Sequence, residues 1–314
     1  MANYILVKQI LLVVSQEHSG QRLDIFLTTQ LTSYSRSYFK NLIDQHLITV
    51  NGQKLAKSGY CLKLNDQVLV QFSELIPADK SKNVSNLNVE IVYEHADFLI
   101  INKPAGLVVH APNAGYTGVS LVDWLVSYFH EIKTVGSQDR PGIVHRLDML
   151  TSGLMIVPRN NQAHAIFTAM FKDRKISKTY LALVAGHPEK SGNIDLHIVR
   201  HPSSRNKMTH VSINQLNQNW AKSARSAQTS YKVVQYFNNY SLVEVKPLTG
   251  RTHQIRVHMA AIGHILIGDS VYGDKTKLLP RQALHAYKLE FSYQEMAYSF
   301  TADLPIDINE LILK

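Results

Sequence analysis

The stretch RPGIVHRLDMLTSGLMIVPRN, Arg140–Asn160, sets one carboxylate, Asp148, between two apolar runs, with His145 and Arg146 just ahead of it. An Asp between strands is ordinarily a solvated turn former, so any chemical role depends on what the rest of the chain brings to it. After it, GLMIVPR reads as a strand. Upstream, VEIVYEHADFLIINKPAGLVVH holds β-branched runs at Ile91–Tyr93 and Phe98–Ile101, closed by Lys103-Pro104. SLVDWLVSYFHE then carries Leu121, Trp124, Leu125 and Tyr128 at helical spacing. Downstream, QAHAIFTAMFKDRK predicts a helix, KTYLALVAG a strand, TSYKVVQYFNNYSLVEVKPL a hairpin and THQIRVHMAAIGH a further helix. The expected class is α+β, with a large domain over residues 89–314 built on a mainly antiparallel sheet with flanking helices.

A smaller module precedes it. GQRLDIFLTTQL and YSRSYFKNLIDQHL each repeat apolar residues at helical spacing, with Ser35 placed to cap the second helix. Asn51-Gly52 is a strong hairpin signal, and DQVLVQF alternates as a strand should. Two helices and a hairpin sheet give a small α/β domain over residues 15–75, with Ile5–Val14 as an opening strand ahead of it. The polar run SELIPADKSKNVSNLN predicts an exposed linker over residues 76–88. Arg36 and Lys40, four apart on the second helix, suit either an RNA backbone or a plain solvated face.

The 314-residue chain is 45% hydrophobic and 18% charged, a globular mixture that excludes disorder as its main theme. No apolar run reaches the roughly 18 residues of a membrane span. The single cysteine, Cys61, fits a small apolar role in a reducing compartment, so a cytoplasmic protein is expected. With no heptad run, a monomer is expected. The net charge of +9 suggests a polyanionic partner. From Leu196 to Val243 there is no acidic residue, while Arg200, Arg205, Lys207, Lys222, Arg225 and Lys232 fall inside that interval. Such a stretch concentrates phosphates without an internal competitor, and nucleic acid is the expected partner.

Phosphate-cradling glycine loops, dinucleotide fingerprints, His-Glu-x-x-His and nucleophile elbows are all missing from the sequence, and no metal is expected. A glycosidase would need a second carboxylate set across the bond, and Asp123 and Asp139 show no sign of converging on Asp148. What remains is chemistry by carboxylate, phenol and guanidinium.

In order and spacing these residues resemble the RluA family of RNA pseudouridine synthases. GIVHRLDMLTSGLMIV resembles its signature, NKPAGLVVH the segment before it, KTYLALVAGH its second motif and PLTGRTHQIRVHMAAIGHILIGDSVYG its third. The small domain resembles the RNA-binding module named from the fourth small-subunit ribosomal protein. The resemblance implies isomerisation of uridine to pseudouridine without a cofactor, most closely that of members acting on large-subunit ribosomal RNA or a pre-ribosomal particle. Transfer RNA as substrate and a non-catalytic ribosome-assembly role are the alternatives.

It also implies that Asp148 is the nucleophile, that Tyr180 lines the base pocket and that Arg256 pairs with the Asp148 carboxylate. Asp148 could attack the anomeric carbon, add to the ring, or take a ribose proton. A guanidinium bonded to it would keep it ionised and aimed. Arg256 sits beside the helical stripe of Ile255, Met259 and Ile262, which would carry it to the border of the core. The uridine must leave its stack, and Arg146 is placed either as a wedge or as a phosphate clamp. His145 would support the turn, and Arg251 and His253 would hold contacts near the site. Many family members carry a basic and then an acidic residue directly after the Asp, whereas Met149 and Leu150 follow it here.

Overall fold

The computed structural model describes all residues except 1–3, 33–35, 55–58, 76–83, 114–115, 138, 205, 275–277 and 314. The chain packs as two compact units, the first made mainly of residues 1–79 and the second of the rest.

In the small unit, strand β1 (Tyr4–Val13) is followed by helices α1 (Leu23–Gln30) and α2 (Arg36–Asp44) and by strands β2 (Ile48–Val50), β3 (Gln53–Lys54) and β4 (Gln67–Leu75). Asn51 and Gly52 both take positive φ, 50° and 78°, the conformation a two-residue hairpin turn needs. The sheet, ordered β1-β4-β2-β3, is larger than the hairpin sheet expected over residues 15–75. β1 pairs antiparallel with β4 from Tyr4↔Leu75 to Val13↔Gln67, because the opening apolar run supplies the edge that β4 would otherwise leave unpaired. Phe26, Leu27, Phe39, Ile43 and Val70 are buried between helices and sheet. Ser35 lies outside the described residues.

Of the expected linker, residues 76–83 also lie outside them; of the rest, Ser85, Asn86 and Asn88 are exposed as expected, whereas Val84 and Leu87 turn inward. Val84 is 4% exposed and Leu87 packs against the same core, the two apolar side chains lying three apart and joined by a Leu87 N–H to Val84 C=O bond.

The large unit is built on strands β5 (Glu90–Glu94), β6 (Phe98–Lys103), the two-residue pair β7 (Gly136–Ser137) and β8 (Arg140–Pro141), then β9 (Ser152–Pro158), β10 (Ser177–Ala185), β11 (Ser191–Arg200), β12 (Met208–Val211), β13 (Arg225–Tyr236), β14 (Tyr240–Pro247), β15 (Leu284–Tyr293) and β16 (Met296–Thr301). Its helices are α3 (Leu121–Tyr128), α4 (Asn161–Lys172), α5 (Gln254–Ala261) and α6 (Ile306–Ile312). Ser120 and Asp123 form a capping box on α3, and Asn160 caps α4. The main sheet runs β12-β11-β13-β14-β10-β15-β9-β6-β5, with β16 on β15. Its pairings are antiparallel except β9 with β15, through His285↔Ser152 and Ala286↔Gly153.

That parallel junction joins the two halves of the sheet, and it depends on Gly153. At φ 119° a Cβ there would land on the backbone N, Cα and O of Ala286. Gly153→Ala is therefore expected to cost roughly 3 kcal/mol or more, read as a lowered thermal midpoint, because backbone rather than a side-chain tip would have to move.

Candidate active site

Asp148 ends the loop that leads into β9, Tyr180 stands on β10 and Arg256 on α5, so loop, strand and helix converge beside the junction. They line a cavity of about 360 Å³ together with His145, Arg146, Lys178, Arg251 and His253. That volume is at the small end for ligand pockets and suits one nucleoside.

Arg256 lies deeper than the border position expected of it, 5% exposed, because a second carboxylate waits there. Its Nη1 donates to Asp148 Oδ2 at 3.1 Å, while Nε and Nη2 donate to Asp269 Oδ2 and Oδ1 at 2.6 and 2.9 Å. Asp269 is buried and also accepts from the Val271 and Tyr272 backbone N–H groups. Burial alone would lower the Arg256 pKa, but Asp269 and then Asp148 raise it beyond its ordinary value. The guanidinium is a fixed cation, bridging a buried anion and one that faces the cavity. Tyr180 packs against the apolar clusters on both sides of the junction, and burial, with the Asp148 charge, pushes its phenol well above the usual range.

The loop carrying Asp148 is pinned by groups that the sequence reading passed over. Lys103, fully buried, donates through Nζ to the carbonyls of Pro104, Leu107 and Met149 at 2.8, 2.9 and 3.1 Å. Burial pulls its pKa to about 7, while the Asp148 charge acts the other way. Gly106 N–H donates to the Met149 carbonyl, Arg281 Nη1 to the Leu150 carbonyl, and Gln282 Nε2 to Thr151 Oγ1. Met149 and Leu150 are thus held by their main chains, so the loop does not depend on the side chains that follow Asp148. Lys103, Asp269 and Tyr272 all stand in strings already singled out, NKPAGLVVH and ILIGDSVYG, but nothing in local pattern separates them from ordinary strand-end and turn residues.

His145 turns inward rather than toward RNA. Its Nε2 accepts the Ile156 N–H at 2.9 Å and its ring stacks on Phe171 at 4.5 Å, since the apolar wall around it leaves a backbone donor to satisfy. Arg146 is exposed at the cavity edge. Arg251 Nε donates to the Ser226 carbonyl at 3.1 Å, and His253 lies with Nε2 3.8 Å from Asp148 Oδ2. Lys207 sits over the Tyr272 ring at 5.2 Å, Arg200 is exposed at the end of β11, and Arg205 lies outside the described residues. In the small unit Lys40 is exposed, whereas Arg36 donates through Nε and Nη2 to the buried Asp24, at 2.9 and 2.7 Å. Arg36 is therefore also a structural partner, and with Arg22 it holds the Asp24 carboxyl below its ordinary pKa. Among the described residues no group of His, Cys, Asp and Glu could hold a metal ion, and no helix is long and apolar enough to cross a membrane.

Burial lowers His145 from 6.5 to about 3, and His110 and His258 to about 4. These imidazoles are neutral in the folded protein but take up protons on unfolding below their ordinary pKa of 6.5. The unfolded state then binds more protons, so stability is expected to fall steadily as pH drops from about 6.5 towards 4. Thermal midpoints across that window check this, and a midpoint that rises on acidification would contradict it.

The RNA pseudouridylate synthase model matches residues 97–261, more than half of the chain, and the S4 domain model matches residues 21–68. The chain belongs to the RNA pseudouridine synthase family. An RNA pseudouridine synthase of Aquifex aeolicus is 39% identical over 85% of this chain and 82% of its own length. Ribosomal large subunit pseudouridine synthase D of Zymomonas mobilis is 36% identical over 95% of both chains, and that of Escherichia coli 34% identical over 97% of this chain and 93% of its own. Human RNA pseudouridylate synthase domain containing 1 superposes with a TM-score of 0.56 at 28% identity, covering 69% of this chain and 83% of that one. The enzyme is an isomerase with an S4 domain ahead of a catalytic domain of mixed α+β fold.

Proposed function

We propose that the enzyme isomerises uridines of large-subunit ribosomal RNA, with Asp148 as nucleophile toward a uridine flipped into the cavity. The observation that carries this is the Asp148 carboxylate, aimed into a nucleoside-sized cavity by Arg256 and faced by Tyr180. The reaction breaks the bond from C1′ to N1 and makes one from C1′ to C5, so atoms and oxidation state are conserved. A carboxylate serves by attack at C1′, by addition to the ring or by taking a ribose proton. Arg256, donating to Oδ2, holds the carboxylate in place in each case. Tyr180 packs against the base, and Arg146 at the cavity edge fills or clamps the gap the uridine leaves.

The choice of RNA is supported by similarity, along both domains, to relatives named for the large ribosomal subunit. The small RNA-binding domain, read as residues 15–75 with β1 added, contributes Lys40, and the catalytic domain contributes Arg200, Arg205, Lys207 and Arg251. Phosphate contacts of this kind position the RNA, and base contacts near Asp148 choose the uridine. The enzyme is read as a cytoplasmic monomer, on its lone cysteine and the absence of a heptad run.

Tritium release from RNA labelled at uridine C5 tests the assignment. Large-subunit RNA or particles lacking native pseudouridines should release label, and transfer RNA should not. Release from transfer RNA alone would overturn the target, and no release from any RNA would favour the assembly role.

A further inference from the structure

Isomerisation requires a base. Once C1′ is bonded to C5, that carbon carries both the sugar and its original hydrogen, and the hydrogen must leave as a proton. We propose that His253 Nε2 takes this proton, an inference that rests on the reading of Asp148 as the nucleophile.

The tautomer of His253 follows from its partner. Nδ1 is 3.0 Å from the Tyr272 hydroxyl, which accepts the Met208 N–H at 3.0 Å and lies 3.2 Å from the Met208 carbonyl. Met208 is on edge strand β12 opposite Arg200, next to the His201–Lys207 pair that carries a ladder bond. In the alternation of an antiparallel ladder, the N–H and C=O of Met208 therefore face away from β11. A hydroxyl has one proton and two lone pairs. The Met208 carbonyl can only accept and so takes the proton, the Met208 N–H fills one lone pair, and the other is left for an N–H from His253 Nδ1. Burial pushes the Tyr272 phenol up to about 12, so it remains a hydroxyl. Nε2 then carries a lone pair, on a ring that lines the cavity 3.8 Å from Asp148 Oδ2. Its backbone is left-handed, φ 55°, which turns this side chain back from the start of α5.

Other groups around the cavity are less suited. Tyr180 is held protonated by burial and by Asp148. His145 Nε2 is occupied by the Ile156 N–H. Lysine ammonium and arginine guanidinium groups have no acceptor to offer. Burial also keeps the His253 imidazole neutral, ready to accept.

The step balances. The C5–H pair returns to the ring as the C5–C6 double bond, the proton goes to Nε2, and the new imidazolium faces the Asp148 carboxylate. N1, freed on cleavage, takes one proton from solvent, and His253 gives one back. His253 is thus a catalytic base, and Tyr272 a positioning residue that fixes its tautomer.

The test is single-turnover conversion of RNA carrying hydrogen or deuterium at the target C5. His253→Gln should slow conversion by about 10²- to 10⁴-fold, the usual contribution of a positioned base. It should also show a C5 isotope effect larger than that of the wild type, because proton loss becomes the slow step. Tyr272→Phe, which keeps the ring under Lys207, should shift the isotope effect in the same direction with a smaller slowing. His253→Gly with added imidazole should regain rate, which guards against a glutamine variant that folds poorly. Slowing with an unchanged isotope effect, or wild-type speed in His253→Gln, would overturn the proposal. Asp148→Asn run alongside separates the two readings, since activity there removes the nucleophile and leaves the base to be judged on its isotope effect.

Discussion

Asp148→Asn is expected to abolish turnover, by ~10⁴-fold or more, with RNA affinity and thermal midpoint close to those of the wild type. The amide fills the same space at the end of the same loop. That loop is held by main-chain carbonyls at Met149 and Leu150, and none of those bonds involves the Asp148 side chain. Arg256 keeps both of its bonds to Asp269, so the guanidinium does not collapse into the cavity. What is lost is the anion, and with it nucleophilic attack, ring addition and proton abstraction alike. Single-turnover tritium release measures the rate, and filter binding with thermal denaturation checks that the complex and fold survive. A variant slowed by less than tenfold would show that Asp148 orients the nucleotide and does no chemistry.

How much of this was legible in the sequence differs by level. The elements were readable where a period was long and uninterrupted: the helical spacing in QAHAIFTAMFKDRK became α4, and the paired runs around Phe237-Asn238-Asn239 became the β13–β14 hairpin. The pairing of β1 with β4 was not readable, since both partners look alike as alternating strands and their register is decided across more than fifty residues. The candidate site was legible as a motif but not as a mechanism. Asp148, Tyr180 and Arg256 stand out because their strings are distinctive, yet Lys103 owes its role to joining the turn at Pro104–Leu107 to the Met149 carbonyl 46 residues on, and no local pattern encodes that meeting. His145 shows what position alone leaves open: beside a catalytic candidate it reads as a support for the turn, and its surroundings make it a part-buried acceptor for one strand N–H. Arg36 likewise looks like a surface cation until Asp24, twelve residues away, is found buried beneath it.

Asp269→Ala is expected to be the most destabilising polar substitution in the site, by roughly 3 to 5 kcal/mol, because it leaves a buried guanidinium uncompensated. Two short bonds to Arg256 and two backbone N–H groups lose their acceptor together. Arg256 would then have Asp148 as its carboxylate partner among the described residues and would draw it from the position the reaction needs. The single-turnover rate should fall while RNA affinity changes little, since the interaction that is lost supports the chemical step and not the phosphate contacts. Asp269→Asn separates charge from shape: it keeps an acceptor for the guanidinium and should recover part of the stability, but less of the rate. The Arg281–Asp307 pair is the control, because it is also bidentate, at 2.6 and 2.8 Å, yet its carboxylate side chain is 37% exposed. Arg281 is as buried as Arg256, but water can reach the place Asp307 leaves and the Leu150 and Gln282 carbonyls still accept from its guanidinium, so Asp307→Ala should cost clearly less than Asp269→Ala. Equal thermal shifts for the two alanine variants would mean that Arg256 is resolvated when its partner is removed, and that its fixed position depends on packing and not on the buried charge.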